Sequence, residues 1–426
     1  MNSSTTPGEG LGTDPSPKQG LLLRNRDYTG WWIGETLSDF GTALAVVAYP
    51  LLILAATGSA AGAGAVEAAS SIGYVITLLI GGALADRFSR RTLMLVGPLI
   101  QAVTVSTVVI AVLADQVTIP HVALAGLLQG LAGGLSGGAE YAALRRVVPE
   151  EQLPTAFALM QGRGMAIRLI GPVVGGVLFG VARWLPFLAD AVSFLINIVG
   201  VLMIRRPLGP DLSEEEPREP VLASIGAGIR FIIGNAYLRF VTIWAALINA
   251  CATGLVILVI VLIYTRGGSP ALVGAVNAIG AVGGLAGALV AAKIVRKVPG
   301  RRLVIVASWL MALVVAGIAF VTSPWAVGGL LALMMFLVAP LNVLFSTYQV
   351  RIVPDRLIGR TSSAIEFGAS SIRWVGALAA GLFAAVIGPA VATGIFACVL
   401  ALIALSTLFA RGLHVLNKPV EEVVAG

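Results

Sequence analysis

Apolar runs of transmembrane length, separated by short polar turns, dominate the sequence. A helix rises 1.5 Å per residue, so crossing a hydrocarbon layer of roughly 30 Å takes about 20 apolar residues. Runs near 31–56, 63–85, 92–114, 119–143, 155–180 and 185–204 meet that length, as do runs near 238–265, 270–295, 302–322, 325–349, 360–387 and 389–411. The pattern therefore predicts an all-α membrane protein of twelve transmembrane helices in two six-helix halves. Residues 1–20, rich in Ser, Thr, Pro and Gly, read as a disordered tail. The first run lacks the short apolar core and cleavage site of a signal peptide. The first bundle is expected over 21–204, a cytoplasmic linker over 205–235, the second bundle over 236–411 and a tail over 412–426. Within the linker, the segment from Ala223 to Asn235 is short and amphipathic, which suits the membrane surface better than its interior.

Charge placement sets the orientation. Of the 28 lysines and arginines, 23 fall in the first segment, the even-to-odd loops, the linker or the final tail. Arg183 and Arg266 fall on the other side, and Arg163, Arg168 and Arg373 fall within spans. The positive-inside rule then predicts a multi-pass protein of the cell inner membrane with both termini cytoplasmic. Composition agrees with the class: 58% of residues are hydrophobic and 12% charged, against roughly 45–50% apolar in soluble domains. The net charge of +7 is explained by these loops, so no nucleic-acid partner is implied. Cys251 and Cys398 lie in apolar runs and the chain has two histidines, His121 and His414, so no metal site is expected.

The two halves carry an internal repeat. One ungapped shift of 205 places Gly82 on Gly287, Arg91 on Arg296, Arg146 on Arg351, Pro149 on Pro354, Arg168 on Arg373, Gly171 on Gly376 and Gly176 on Gly381. Both halves run in the same sense, as in parallel transporter repeats. In the second copy Ala291 replaces Asp86, so the first copy has the specialised charges.

Two local motifs stand out. Residues 82–91, GALADRFSRR, form a short basic loop between spans two and three. Gly82 permits close helix approach, Asp86 sits where a helix leaves the bilayer, and Arg87, Arg90 and Arg91 stay in the headgroup region. Span five reads RGMAIRLIGPVVGGVLF, with Pro172 to kink it and Gly171, Gly175 and Gly176 to admit a neighbouring helix. The loop resembles the signature of the major facilitator superfamily, with Ser89 in place of a second glycine. The Gly-Pro-x-x-Gly-Gly core resembles the antiporter motif of that family's drug exporters, with Ile167 in place of an upstream glycine. NRDYTGWW, RRVVPEEQL and DAVSF are similar to the exporter branch that includes macrolide and siderophore export proteins. The resemblance implies a monomeric secondary transporter in which Gly82, Asp86, Arg87, Arg90 and Arg91 act as a conformational gate, with Glu140 of span four as the arginines' acidic partner. It also implies that Asp86 meets the N-terminal end of span eleven.

Ionisable groups inside the spans carry the functional signal, since a charge there costs about 3 kcal/mol or more and faces a cavity or a partner. Glu35 and Asp39 are four apart on span one and share a face, with Glu35 nearer the cytoplasmic end. Glu67 reads as interfacial, and Asp190 divides between a packing partner and a substrate contact. The chain has no HExxH, no Walker loop and no Gly-x-Gly-Asp dyad, so an enzyme is excluded. With no nucleotide loop, energy comes from the proton gradient, without a cofactor. Asp39 is then the expected proton carrier, Arg168 or Arg373 its cation, and Glu366 the second-half counterpart, seven residues from Arg373. Spans lined by Ala, Val, Leu and Gly suit hydrophobic or amphipathic small molecules. The expected function is their export by proton antiport. The rivals are a proton-coupled importer of a small metabolite and a non-transporting sensor on the same fold.

Overall fold

The computed structural model describes residues 22, 25–87, 89–206, 221–354 and 357–417. The first half comprises α1 (Arg26–Thr57), α2 (Ala60–Arg87), α3 (Arg90–Leu113), α4 (Ile119–Val147), α5 (Leu153–Val181) and α6 (Leu185–Met203). A short helix, α7 (Val221–Gly234), leads into the second half, which comprises α8 (Ala236–Thr265), α9 (Pro270–Lys297), α10 (Gly300–Phe320), α11 (Pro324–Ile352), α12 (Ile358–Ser370), α13 (Arg373–Ile387) and α14 (Pro389–Phe409). Among the described residues, twelve segments are long and apolar enough to cross a membrane, with α12 and α13 together making one of them. The six-plus-six reading of the sequence holds.

Three boundaries differ from expectation. The signature turn is shorter, because α2 continues to Arg87 and α3 begins at Arg90. Span eleven is not one helix: α12 ends at Ser370 and α13 starts at Arg373, with a turn at Ser371 and Ile372. After α14 the chain forms a short 3-10 segment, Arg411–Asn417, that buries Leu413 and Leu416 rather than leaving as a tail. The expected tail over 1–20 and most of the linker, 207–220, lie outside the described residues.

Helix ends follow local chemistry. Asn25 caps α1, its side chain accepting from the Tyr28 amide at 3.3 Å while its amide nitrogen donates to the Val147 carbonyl at 2.8 Å. At the other end of α1, Gly58 adopts φ 67° and donates its amide to the Leu54 carbonyl at 3.0 Å, a left-handed cap suited to glycine. Arg91 Nη2 donates to the Leu202 carbonyl at 3.0 Å, which closes the C-terminus of α6. Arg301 Nη2 does the same for α14 through Leu408 at 3.1 Å, so the two halves solve one problem alike.

An even number of spans puts both chain ends and the signature turn on one face, called here the terminal face. The extensive contacts between halves, α5 with α9 and α2 with α13, lie toward the opposite face. A Cβ added at Gly176 would meet the Pro270 carbonyl, with Gly274 Cα at 3.3 Å. One added at Gly381 would stand 2.7 Å from the Ala60 oxygen and 2.9 Å from Gly64 Cα. Gly176 and Gly381 are repeat mates, so both seams of the interface are built the same way. Backbone runs against backbone only where glycine is present, which makes these seams tight. Away from them cross-half contacts among the described residues are few, and the space between the halves toward the terminal face is called here the cleft.

Candidate functional site in the interhelical cleft

Charged side chains collect on the cleft side of the first half. Glu35 and Asp39 lie one turn apart on α1, whose neighbour α6 comes so close that a Cβ on Gly34 would stand 3.1 Å from Asn197 Cα. From α6, Asn197 Nδ2 donates to Glu35 Oε2 at 3.0 Å, both residues being buried. From α4, the Glu140 carboxyl stands beside that of Glu35. From α5, Arg163 Nη2 donates to Asp39 Oδ2 at 2.6 Å. The Arg163 side chain is 7% exposed and that of Asp39 44%, so the guanidinium is held inside while the carboxylate borders the cleft.

The arrangement has a chemical consequence. Two ionised carboxylates side by side repel, so Glu35 and Glu140 are stable together when one of them holds a proton. Asp39 and Arg163 form a charge-assisted bond beside this pair. Four helices thus converge on a group of three carboxyls and one guanidinium, able to gain or lose a proton and to exchange Arg163 for another cation.

The sequence expectations fare unevenly. Glu35 and Asp39 do come together. Arg163, however, and not Arg168 or Arg373, is the direct partner of Asp39; Arg168 is exposed and within electrostatic reach of it. Glu140 sits on Glu35, whereas Arg91 is engaged with a carbonyl of α6. Arg90 is half-buried, and the side chains of Gly82, Asp86 and Arg87 lie outside the described residues, as does the expected meeting of Asp86 with span eleven. Asp190 is 1% exposed inside the first bundle and does not line the cleft.

In the second half, Glu366 and Arg373 fall on opposite sides of the α12–α13 break, so their seven-residue spacing does not put them on one helical face. Glu366 is exposed and accepts from Ser370 Oγ at 3.3 Å. Arg373, at the first position of α13, keeps its Nε buried without a hydrogen-bond partner among the described residues. Glu67 of α2 is not merely interfacial, because it lies within electrostatic reach of Arg373 across the seam between the halves. In the antiporter-motif helix the glycines divide their work. Gly171 and Gly175 meet Ala43 and Leu44 of α1, while Pro172 and Gly176 meet Gly274 and Pro270 of α9 in the other half.

Sequence reasoning missed Asn197 and the role of Arg163. Asn197 had a legible signal: Asp190, Ser193 and Asn197 follow the i, i+3, i+7 spacing of one helical face in an otherwise apolar span.

Comparison with known proteins agrees with this picture. The sequence profile of the Major Facilitator Superfamily matches residues 31–374. The chain is 26% identical over 363 residues to the multidrug efflux pump Tap of Mycolicibacterium fortuitum, covering 82% of this chain and 87% of that protein. It is 24% identical over 399 residues to the enterobactin exporter EntS of Salmonella typhimurium, covering 92% and 94%. Among solved structures, a bacterial homologue of the human lysosomal transporter Spinster, in an inward-facing and unoccupied conformation, superposes with a TM-score of 0.72 at 14% identity, covering 94% of this chain and 99% of that one. A bacterial homologue of the iron transporter ferroportin, in an inward-facing state, gives a TM-score of 0.69 at 16% identity, covering 92% and 99%.

Proposed function

Because the chain belongs to the Major Facilitator Superfamily and is a multi-pass membrane transporter rather than an enzyme, we propose that it exports hydrophobic or amphipathic small molecules across the cell inner membrane by proton antiport. The terminal face is cytoplasmic in this reading, on the strength of the basic loops, so substrate enters the cleft from the cytoplasm. The protein works as a monomer with protons and a small-molecule substrate as its partners. The observation that carries the proposal is the Asp39–Arg163 bond at 2.6 Å on the cleft wall, set beside the Glu35–Glu140 carboxyl pair.

The cycle follows from these contacts. A lipophilic cation entering from the cytoplasm meets Asp39, the exposed member of the ion pair, and competes with Arg163 for it. Freed positive charge next to Glu35 and Glu140 favours loss of the pair's proton to the cytoplasm. The seams at Gly176 and Gly381 then open as the halves rock, and the site faces outward. Protons at higher activity outside recharge the carboxyls, Arg163 returns to Asp39, and the substrate leaves. Relatives named as a multidrug efflux pump and an enterobactin exporter support export over import.

Purified protein in liposomes, with an imposed pH gradient and a panel of lipophilic cations, tests the reading. Asp39→Asn is expected to abolish gradient-driven accumulation in protein that still folds, with a lowered melting temperature because Arg163 loses its counter-ion. Normal accumulation with normal pH dependence in Asp39→Asn would remove this residue as the point where substrate competes with Arg163 and overturn the cycle.

A further inference from the structure

Span eleven breaks where its repeat mate does not. The shift of 205 sets α12 and α13 on α5, which runs unbroken from Leu153 to Val181, and sets Ser371 and Ile372 on Ala166 and Ile167 inside it. At the break Ile372 has φ −110° and ψ 11°, between the helical and extended regions. The next turn is tightened, the Val375 amide donating to the Ile372 carbonyl at 3.0 Å. Two carbonyls thereby lose the amides that an unbroken helix would bring them, Gly368 that of Ile372 and Ala369 that of Arg373. Side chains take both. Ser371 Oγ donates to the Gly368 carbonyl at 2.8 Å, and Asn249 Nδ2, reaching across from α8, donates to the Ala369 carbonyl at 3.0 Å. The repeat mates of these two donors are Ala166 and Leu44, whose side chains have no hydrogen to donate.

We infer that Asn249 is a positioning residue for the transport cycle: its bond to Ala369 holds span eleven broken while the α2–α13 seam is closed, and its release lets α12 and α13 join into one helix when that seam opens. The two parts of the span are held by different neighbours. α13 is fixed on α2, where Gly381 lies against Ala60 and Gly64, and on α8, where Gly376 lies against the Ala250 carbonyl. α12 is carried nearer the terminal face by α7, where Gly228 meets the Arg360 carbonyl, and by α8, where Gly368 meets Thr242. Opening of the seam frees α13 to align with α12, and the Arg373 amide then takes the Ala369 carbonyl that Asn249 gives up. Ala369 is hydrogen-bonded in either form, so the span has two satisfied arrangements and Asn249 sets the balance between them. The first half has no such choice, because Leu44 cannot hold a freed carbonyl and α5 stays one helix. The inference rests on the alternating access of the proposed cycle, and not on its protons or its substrate.

Full-length protein in nanodiscs provides the test, in a Cys398→Ser background with nitroxides at Ser363 on α12 and Val386 near the end of α13. Both positions are exposed. In one straight helix their Cα atoms would stand about 35 Å apart, and the break brings them closer, which pulsed electron paramagnetic resonance reads. Asn249→Ala leaves the Ala369 carbonyl without its donor in the broken form alone, so the ratio of broken to unbroken span is expected to fall by about 2- to 10-fold. Ser371→Ala should shift the distances the same way. Asn249→Gln keeps the donor and should keep the wild-type distribution, whereas a role in packing alone would be disturbed by both Asn249 variants. An unchanged distribution in Asn249→Ala would overturn the inference, as would an Asn249→Gln distribution like that of Asn249→Ala. Should Asn249→Ala not fold, Ser371→Ala takes its place, with a shift supporting the inference and an unchanged distribution overturning it. The distances are read without substrate or pH gradient, so their outcome is separate from that of the antiport reading.

Discussion

Replacing Gly176 by alanine should unbalance the alternating equilibrium. A Cβ at this position would run into the Pro270 carbonyl oxygen and come within 3.2 Å of its carbon and 3.3 Å of Gly274 Cα. All three are backbone atoms, so no rotamer change relieves the overlap, and α5 and α9 must move apart. Overpacking of this kind costs about 1–3 kcal/mol. The cost falls only on the conformation in which this seam is closed, so the ratio of closed to open seam should drop by about 5- to 150-fold. Gly381→Ala, where the Ala60 oxygen would be 2.7 Å away, should act alike at the other seam. Gly180→Ala is the control, because nothing lies within 4 Å of its added Cβ on the same helix. Spin labels placed on the two halves at the opposite face report the populations by pulsed electron paramagnetic resonance. Distances should lengthen in Gly176→Ala and Gly381→Ala and stay unchanged in Gly180→Ala. An unaltered distribution in both seam variants would refute the claim that glycine-mediated backbone contact holds this face shut.

Other consequences are simpler to measure. Asn197→Ala removes the donor at 3.0 Å from buried Glu35 and should destabilise the protein by about 1–3 kcal/mol, read as a lower melting temperature; an unchanged value would mean Glu35 finds another partner. Cysteines introduced at Ser59 and Glu215 should label from opposite sides of the membrane, and same-side labelling would contradict the twelve-span order. Cys398 is exposed and Cys251 buried, so a lipophilic maleimide should modify the first far faster than the second in the folded protein.

The spans were legible because membrane crossing imposes length and apolarity on each one, and both leave a direct trace in composition. The repeat was legible because Gly176 and Gly381 must each let a partner backbone approach. The break in span eleven was not, since Ser371 and Ile372 include neither proline nor glycine to mark it. The partner of Asp39 was hidden for a geometric reason. Gly171 and Gly175 meet Ala43 and Leu44, a register that sets Arg168 level with Asp39, yet Arg168 is exposed and does not bond it, and Arg163, more than a turn nearer the terminal face, reaches it. Depth could be counted along the sequence, whereas azimuth depends on how α5 crosses α1. The pairing of Glu35 with Glu140 was hidden by the opposite bias, because like charges are expected to avoid each other unless one of them holds a proton.

The central claim is an exchange of protons for substrate, and proton movement can be followed directly. Liposomes containing the wild-type protein and a trapped pH indicator are given a gradient of a transported lipophilic cation, with no initial pH difference. Antiport predicts that protons move against the direction of the substrate, at a rate that rises with the substrate gradient and vanishes in Asp39→Asn. Protons moving in the same direction as the substrate, or no proton movement while substrate crosses, would contradict the account.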